Sequence, residues 1–346
     1  MTNQPCRACA TTTDSGYAVR FAGAHNEQAL QEWKNGDHFT PYRTLDETTV
    51  WVPEDAWSGL IDYFQAHMDA ENLQAAPMSN GEAEVSGAWQ SLDEIRRHHD
   101  AHWIDDVIAE SRIKTVFQPI VSVQDGTAHV QGYEFLSRAL ETDGTLIPPY
   151  KMFEAARLRD RLFALDRVCR MSAVRNAAVV QEKLVFVNFI PTAIYSPEHC
   201  LQTTLAEARA TGVDPRNFVF EVVETDKVDS VEHLENILLY YRKHGFRYAL
   251  DDVGQGYSTL EMVERLKPDF VKLDMHYVQG VAQDVAKQKA ALDLLHTARA
   301  VGSRPLAEGI ETVEDWRWLV EAGYELFQGY LFGRPEHEPQ EVSLAL

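Results

Sequence analysis

Eight short apolar runs recur between residues 114 and 332, and segments with helical spacing of apolar residues lie between most of them. Strands that alternate with helices predict a parallel sheet. Eight such units within residues 113–346 fit a TIM-like β/α barrel better than an open sheet, since this length is typical of the barrel.

The first two runs are the exception to this alternation. Only residues 124–127, with Asp125 and Gly126 at their centre, separate them. A connection this short closes a hairpin rather than a parallel crossover. We therefore expect the first strand to run antiparallel to the second.

Nearly every run carries a polar side chain that could bind a metal ion or a phosphate. In chain order these residues are Gln118, Glu134, Asn188, Glu221 with Glu224, Asp251 with Asp252, Lys272, Glu308 and Gln328. Barrel enzymes have their active sites at the C-terminal ends of the strands. We therefore expect these side chains to converge at one mouth of the barrel.

The adjacent carboxylates Asp251 and Asp252, in the segment YALDDVGQGYS, are the most informative pair. Neighbouring carboxylates repel each other, so the pair makes most sense around divalent cations. An ordinary surface turn would explain an isolated DDxG, but it does not explain the other polar strand ends. None of the candidates is His or Cys, and oxygen ligands favour Mg²⁺ or Mn²⁺ over zinc or a redox metal.

Eight segments resemble, in order, the signature series of the EAL-domain cyclic-di-GMP phosphodiesterases. They are FQPIV, GYEFLSR, VNFIP, FEVVET, DDVGQGYS, DFVKLD, AEGIET and QGYLFGRP, and they cover roughly residues 113–335. Two positions depart from the family pattern. Phe135 replaces the alanine of Glu-Ala-Leu, which is not a ligand, and the turn usually written DDFGTGYS carries Val253 and Gln255.

The resemblance implies hydrolysis of cyclic-di-GMP to pGpG with two metal ions. It implies that Glu134, Asn188, Glu221 and Asp251 hold one ion, and that Asp251, Asp252 and Glu308 hold or orient the second with its water. Glu308 would be the general base, and Gln328 would help to position the water. Lys272 should stay protonated among so many carboxylates and act as an electrostatic stabiliser.

The resemblance also implies roles around these ligands. Gln118, Leu136 and Arg138 would contact the substrate, with the forked donors of Arg138 on a phosphate. A surface ion pair is the alternative for Arg138. Glu224 would anchor the DDVGQGYS loop and Glu311 would support the second metal, although plain ion pairs would look the same in sequence. Ca²⁺ should be inhibitory, because it is a larger ion and a weaker Lewis acid.

Composition limits the partners and the location. The chain has 32 Lys and Arg against 53 Asp and Glu, a formal net charge of −21 that disfavours nonspecific binding to nucleic acid or anionic membranes. No run approaches the roughly 20 apolar residues of a membrane span, and residues 1–16 lack an apolar signal core. We therefore expect a cytoplasmic protein. Cys6 and Cys9 form a CxxC, which is half of a zinc site; a metal there would need further ligands such as His25 or His38, and an N-terminal end without a metal is the alternative.

We divide the chain into four segments. Residues 1–15 should be a disordered N-terminus, 16–76 a small regulatory α/β module, 77–112 a linker with a connecting helix over 91–110, and 113–346 the barrel. A homodimer is expected through the loop 254–259 and the helix near Leu260 and Val263. The alternatives to a phosphodiesterase are a cyclic-di-GMP sensor without catalysis, a partner-binding protein with idle catalytic residues, and a different barrel enzyme.

Overall fold

The computed structural model of the protein describes residues 15–36, 40–223, 230–254 and 259–346. Cys6, Cys9, His38, Glu224 and Gln255 lie outside these residues, so the predictions for them stay predictions. The chain forms two compact units. The first comprises the residues up to Glu110 together with Tyr150–Arg161, and the second comprises Ser111–Pro149 and Leu162–Leu346.

The first unit contains an antiparallel sheet in the order β2-β3-β1-β4-β5. Its strands are β1 (Ser15–Phe21), β2 (Arg43–Thr44), β3 (Thr49–Pro53), β4 (Leu73–Ser79) and β5 (Gln90–Ser91). Its helices are α1 (Ala24–Asn35), α2 (Trp57–His67), α3 (Leu92–Asp100), α4 (Trp103–Ala109) and, from Tyr150 onwards, α5 (Pro149–Leu158). This arrangement confirms the predicted α/β module.

Alternation along β1 separates the two faces of this sheet. Tyr17, Val19 and Phe21 belong to the cluster that includes Trp57 of α2, whereas Ala18 packs in another cluster with Trp51. Segment 77–112, expected to be a linker with one helix, holds the end of β4, the strand β5 and two short helices. The first of these helices starts at a capping box in which Ser91 and Glu94 satisfy each other's backbone N–H.

Arg159, which follows α5, forms a polar cluster within the first unit. It pairs with Glu54, and its Nε donates to Asp105 Oδ2 at 2.9 Å. Glu54 also accepts a hydrogen bond from Tyr17 Oη at 3.0 Å. His98 Nδ1 lies 3.1 Å from Arg159 Nη1 and 3.0 Å from Tyr17 Oη. Since a guanidinium can only donate, the His98 nitrogen accepts from Arg159.

The second unit is the predicted barrel of eight strands. They are β6 (Ile113–Gln124), β7 (Thr127–Leu140), β9 (Leu184–Phe189), β10 (Phe218–Val222), β11 (Arg247–Val253), β12 (Phe270–Leu273), β13 (Arg304–Ala307) and β14 (Leu326–Gln328). Pairing of β14 with β6 and of β7 with β9 closes the barrel. The strand β6 is antiparallel to both neighbours and the other pairs are parallel, as predicted.

Helices pack around these strands. They are α6 (Leu162–Asn176), α7 (Pro197–Cys200), α8 (Gln202–Ala210), α9 (Val231–Lys243), α10 (Leu260–Leu266), α11 (Met275–Val278), α12 (Val285–Val301) and α13 (Val313–Ala322). Two short strands, β8 (Leu146–Ile147) and β15 (Leu344–Ala345), pair with β7. Among the residues described, no helix has both the length and the apolar character that crossing a membrane requires.

One expectation about α10 is wrong. Val263 was expected to contact a partner subunit, but its side chain is fully buried in the core between the strands and helices of the barrel. The side chains of Leu260 and Met262 are only partly buried, and those of Glu261 and Glu264 are exposed. A partner subunit that packs on α10 would therefore contact the accessible side chains of Leu260, Glu261, Met262 and Glu264 and not Val263.

Candidate active site

The interior of the barrel is filled by one apolar layer with a polar layer directly above it. The apolar layer consists of Ile120, Leu184, Phe186, Val219, Ala249, Phe270, Leu306 and Leu326. Side chains two positions apart lie on the same face of a strand. The residue two positions beyond each of six of these is therefore also interior, and those six are Asn188, Glu221, Asp251, Lys272, Glu308 and Gln328.

The two remaining strands complete the polar layer in the same way. On the antiparallel β6, Gln118 lies two residues before Ile120, and it is paired with Glu134 of β7. Two residues before Glu134 is Gly132, where a Cβ atom would lie 2.6 Å from the Cβ of Leu184. Glycine is therefore needed there for β7 and β9 to approach each other.

Lys272 lies at the centre of the polar layer and is 1% exposed. Its Nζ lies 3.0 Å from Glu221 Oε1 and 3.2 Å from Asp251 Oδ1. It also contacts Glu308 and lies 3.8 Å from Glu134 Oε2. Burial alone would lower the pKa of the amine, but the charges of Asp251, Glu134 and Glu221 raise it well above its usual value.

Hydrogen bonds from carboxamides fix Glu134. Asn188 Nδ2 donates to Glu134 Oε1 at 2.8 Å, and Gln328 Nε2 donates to Glu134 Oε2 at 2.7 Å. Gln328 Nε2 also lies 3.1 Å from Gln118 Oε1. Burial raises the pKa of Glu134, but the charge of Lys272 and these hydrogen bonds outweigh it and hold the pKa below its usual value.

Asp251, Asp252 and Glu308 form a second group, in which one oxygen atom of each residue lies within 4.8 Å of the others. Neighbouring side chains of a regular strand point to opposite faces. The register of β11 against β12 shifts between Leu250 and Val253, and Asp252 has a positive φ of 52°. This irregularity allows two adjacent carboxylates to reach the same place.

Burial raises the pKa values of three carboxyl groups at this mouth, those of Glu221, Asp251 and Asp252. Burial raises the pKa of Glu221 well above its usual value, and it also raises the pKa of Asp251. The pKa of Asp252 rises to about 7 through burial, the charge of Asp251 and a hydrogen bond with Asp274. Raised pKa values of this kind indicate that the nearby positive charge, that of Lys272, does not balance the negative charge of these carboxylates.

The donor set fits divalent cations bound through oxygen. Among the residues described, Asn188 Oδ1 and Gln328 Oε1 are buried and accept no hydrogen bond. A buried acceptor without a donor is costly, and a cation would satisfy it. Glu134, Asn188, Glu221 and Asp251 could hold one ion and Asp251, Asp252 and Glu308 a second, which is the division that the family resemblance implies.

The residues predicted to surround the metal ligands differ in their positions relative to the polar layer. Glu134, Leu136 and Arg138 follow each other at two-residue spacing on β7, and Leu136 and Arg138 are partly exposed. Arg138 Nη1 donates to the carbonyl of Ser137 at 2.9 Å, and burial lowers the pKa of this guanidinium. Glu311 is exposed and accepts a hydrogen bond from Gln279 at 3.4 Å, and it is not one of the three carboxylates whose oxygen atoms come together.

Two functional contacts were not predicted from the sequence. Asp274, two positions beyond Lys272, contacts Asp252, and the spacing along β12 could have indicated it. Tyr277 of α11 donates to the carbonyl of Gly254 at 2.8 Å. Gly254 has a φ of 111°, and a Cβ atom there would lie 2.6 Å from the Tyr277 ring. Glycine is therefore needed for this contact with the start of the loop.

Comparisons with known proteins agree with this geometry. A family model described as the EAL domain matches residues 101–335. The probable cyclic di-GMP phosphodiesterase PdeG of Escherichia coli K12 is 29% identical over 236 residues, which is 66% of this chain and 45% of that protein. The chain thus spans less than half the length of this relative.

Solved structures show the same fold. A standalone versatile EAL protein from Vibrio cholerae O395, in its c-di-GMP-bound form, is 32% identical with a TM-score of 0.59, over 66% of this chain and 95% of that one. BlrP1 of Klebsiella pneumoniae, in a calcium and cyclic-di-GMP complex at pH 8.0, is 20% identical with a TM-score of 0.60. That likeness covers 96% of this chain and 99% of the other, so the shared fold extends over nearly the whole chain.

Proposed function

Because the chain belongs to the EAL domain family, we propose that it is a metal-dependent phosphodiesterase that hydrolyses cyclic-di-GMP to pGpG. The observation that carries the proposal is the convergence of seven predicted residues at one barrel mouth. They are Glu134, Asn188, Glu221, Asp251, Asp252, Lys272 and Glu308. A sensor derived from this fold would not need a full set of ligands.

We assign the metal sites to the two groups of oxygen ligands described above. When bound, Mg²⁺ or Mn²⁺ ions would lower the pKa of a water molecule and stabilise negative charge on the phosphate. Ca²⁺ should support binding of the dinucleotide without turnover.

The side chains themselves divide the remaining work. Glu308 contacts the protonated Lys272, which favours the ionised carboxylate that a general base requires. Lys272 would also stabilise the extra charge of the transition state. The free acceptor Gln328 Oε1 can receive a hydrogen bond from water. Arg138, together with Leu136 and Gln118, would bind the dinucleotide, and the guanidinium would contact a phosphate.

Control by the first unit and a homodimer are further parts of the proposal. The support for control lies in the course of the chain, since β7 carries Glu134 and residues 141–148 connect it to α5 of the first unit. A rearrangement in the first unit would have a short path along the chain to a metal ligand.

The support for a dimer is the partly exposed side of α10, which follows directly after the loop beyond Asp252.

The test is to incubate the purified full chain with cyclic-di-GMP and either Mg²⁺ or Mn²⁺, and to separate the products by chromatography. We expect pGpG in both cases, and none in Ca²⁺ after contaminating Mg²⁺ is removed. Glu134→Ala and Asp251→Ala should abolish the product while the barrel stays folded, because each removes a metal ligand at the mouth. Dinucleotide binding with no product in Mn²⁺ would contradict the proposal and identify a sensor.

A further inference from the structure

Asp166 and Arg170 form a buried ion pair on α6 that is not part of the polar layer at the mouth. The two residues are one helical turn apart, and only 4% and 1% of their surfaces are exposed. Such a pair contributes little to stability, because removing two charges from water costs about as much as their attraction returns. An apolar pair of similar volume would serve equally well for packing, so another role has to explain it.

The second oxygen of Asp166 indicates that role. Asp166 Oδ1 accepts a hydrogen bond of 2.9 Å from the backbone N–H of Ile190. Ile190 directly follows β9, whose parallel pairing with β10 ends at Phe189 and Val222. The carboxylate therefore continues the hydrogen bonding of the strand one residue beyond its end.

Asn188 lies two residues before this contact. Its Nδ2 donates to Glu134 Oε1 at 2.8 Å, and its Oδ1 is buried without a donor. The direction of that oxygen depends on the backbone at the end of β9. Fixing the Ile190 N–H fixes this backbone from the outer side of the barrel, opposite to the hydrogen bond with Glu134.

Arg170 holds the carboxylate in turn. Its Nη1 donates to Asp166 Oδ2, and its Nε donates to Thr204 Oγ1 of α8 at 3.2 Å. Thr204 is fully buried. Side chains of α6 and α8 thus fix the acceptor for the Ile190 N–H.

We infer that Asp166, held by Arg170, is a positioning residue for Asn188, and that it sets the affinity of the barrel mouth for a divalent cation. The inference rests on the proposed function, because it takes Asn188 to be a metal ligand. Groups that orient metal ligands typically contribute a factor of about 10 to 100 in metal affinity.

Two double variants of the full chain differ in whether residue 166 can accept the hydrogen bond from the Ile190 N–H. Asp166→Asn with Arg170→Met keeps an oxygen for the Ile190 N–H, and Asp166→Leu with Arg170→Met removes it, while both lack the ion pair. We expect Mn²⁺ binding, measured by calorimetry without substrate, to be about 10-fold weaker in the leucine variant than in the asparagine variant. Amide exchange at Ile190 should also be faster in the leucine variant.

Each variant leaves one buried donor group unsatisfied, the amide introduced at position 166 in the first and the backbone N–H of Ile190 in the second, so a purely structural role predicts similar Mn²⁺ affinities. Equal Mn²⁺ affinity of the two variants would overturn the inference. If the leucine variant does not fold, Thr204→Val tests the same chain of contacts through Arg170, and an unchanged Mn²⁺ affinity would overturn it.

The same titrations separate this inference from the proposed function. Mn²⁺ binding that is lost in Asn188→Ala but equal in the two double variants leaves the proposed function standing and overturns only the role of Asp166. Failure of the unmodified chain to bind Mn²⁺ overturns both.

Discussion

Lys272 is a fixed cation in a group of carboxylates that would otherwise repel one another. Its amine contacts Glu221, Asp251 and Glu308 at once, and it is closed off from solvent. One positive charge cannot balance the group, which explains why burial leaves Glu221 and Asp251 with raised pKa values. The metal-free site is therefore electrostatically incomplete, and divalent cations would complete it.

Removing the charge of Lys272 should cost turnover. Lys272→Met keeps most of the volume and loses the ammonium group, and we expect the rate of pGpG formation in Mn²⁺ to fall at least ~100-fold, the scale of losing one electrostatic stabiliser. Lys289→Met is the matched control, because the side chain of Lys289 is 81% exposed on α12. A folded Lys272→Met protein with full activity would require a different site assignment.

Asp252 should make the metal-free protein less stable as the pH rises. Its pKa in the folded state is about 7, so the folded protein keeps a proton that the unfolded chain loses near pH 4. The stabilisation that this bound proton gives to the folded protein is complete below about pH 4 and is lost as the pH rises through 7. We expect the melting temperature in EDTA to fall between pH 6.5 and 8, and Asp252→Asn to flatten that decline.

Metal ions should reverse this dependence of the melting temperature on pH, since they bind the ionised carboxylates. Mn²⁺ should therefore raise the melting temperature more at pH 8 than at pH 5. An equally steep decline in EDTA for Asp252→Asn would show that another group causes it.

At the scale of elements, the strands of the barrel could be predicted because each joins an apolar run to one polar residue. The positions of Asn188, Glu221 and Lys272 follow from that pattern alone. The proximity of Asp251 and Asp252 does not, because a regular strand would separate them. It depends on the register shift in β11, and only the glycine-containing turn after this strand hints at such a shift.

The first unit was harder to predict for two physical reasons. Pro77 disfavours a central strand, yet it lies in β4, where the neighbouring β5 pairs only with Gln74 and Ala75. At Pro77 the outer side of β4 is an edge, so its missing N–H costs no hydrogen bond there. The predicted helix over 91–110 is two helices, and the apolar stripe continues across the break, so its periodicity did not reveal the interruption.

His98, on α3, should make the stability of the protein depend on pH. Burial, followed by the charge of Arg159, lowers its pKa to about 4, so the folded protein keeps the imidazole neutral. Its stabilising contribution is present above the unfolded pKa of about 6.5 and is lost as the pH falls towards 4. With Asp252→Asn in the background, which removes the opposite dependence of that carboxyl, we expect the melting temperature in EDTA to decline from pH 6.5 to 5, and His98→Gln to reduce the decline.

The pH range separates His98 from Glu54, whose pKa is lowered to about 2 and whose contribution is lost only below about pH 4.5. His25→Gln, at an exposed position of α1, is the control and should leave the decline unchanged. A decline that persists in full in His98→Gln would assign it to another group.

At the scale of the whole molecule, the proposed dimer can be tested on α10. Leu260 is partly exposed there, beside the exposed Glu261 and Glu264. We expect Leu260→Asp to lower both the dimer fraction, measured by light scattering, and the turnover rate, since a charge would oppose burial in an interface. Val179→Asp, at an exposed apolar residue between α6 and β9, is the control. A monomer with full activity at all working concentrations would contradict the dimer and leave the phosphodiesterase proposal intact.

The position of α5 means that the chain cannot be separated into two autonomous fragments by one cut. A fragment that begins at Ser111 would keep α5 and Arg159 but would lack Glu54 and Asp105, the carboxylates that pair with this guanidinium. It would also keep the apolar Met152 and Ala156, which are fully buried in the intact chain. Low activity or insolubility of this fragment would then reflect side chains that have lost their partners. Its activity would therefore be a poor measure of the catalytic rate without regulation.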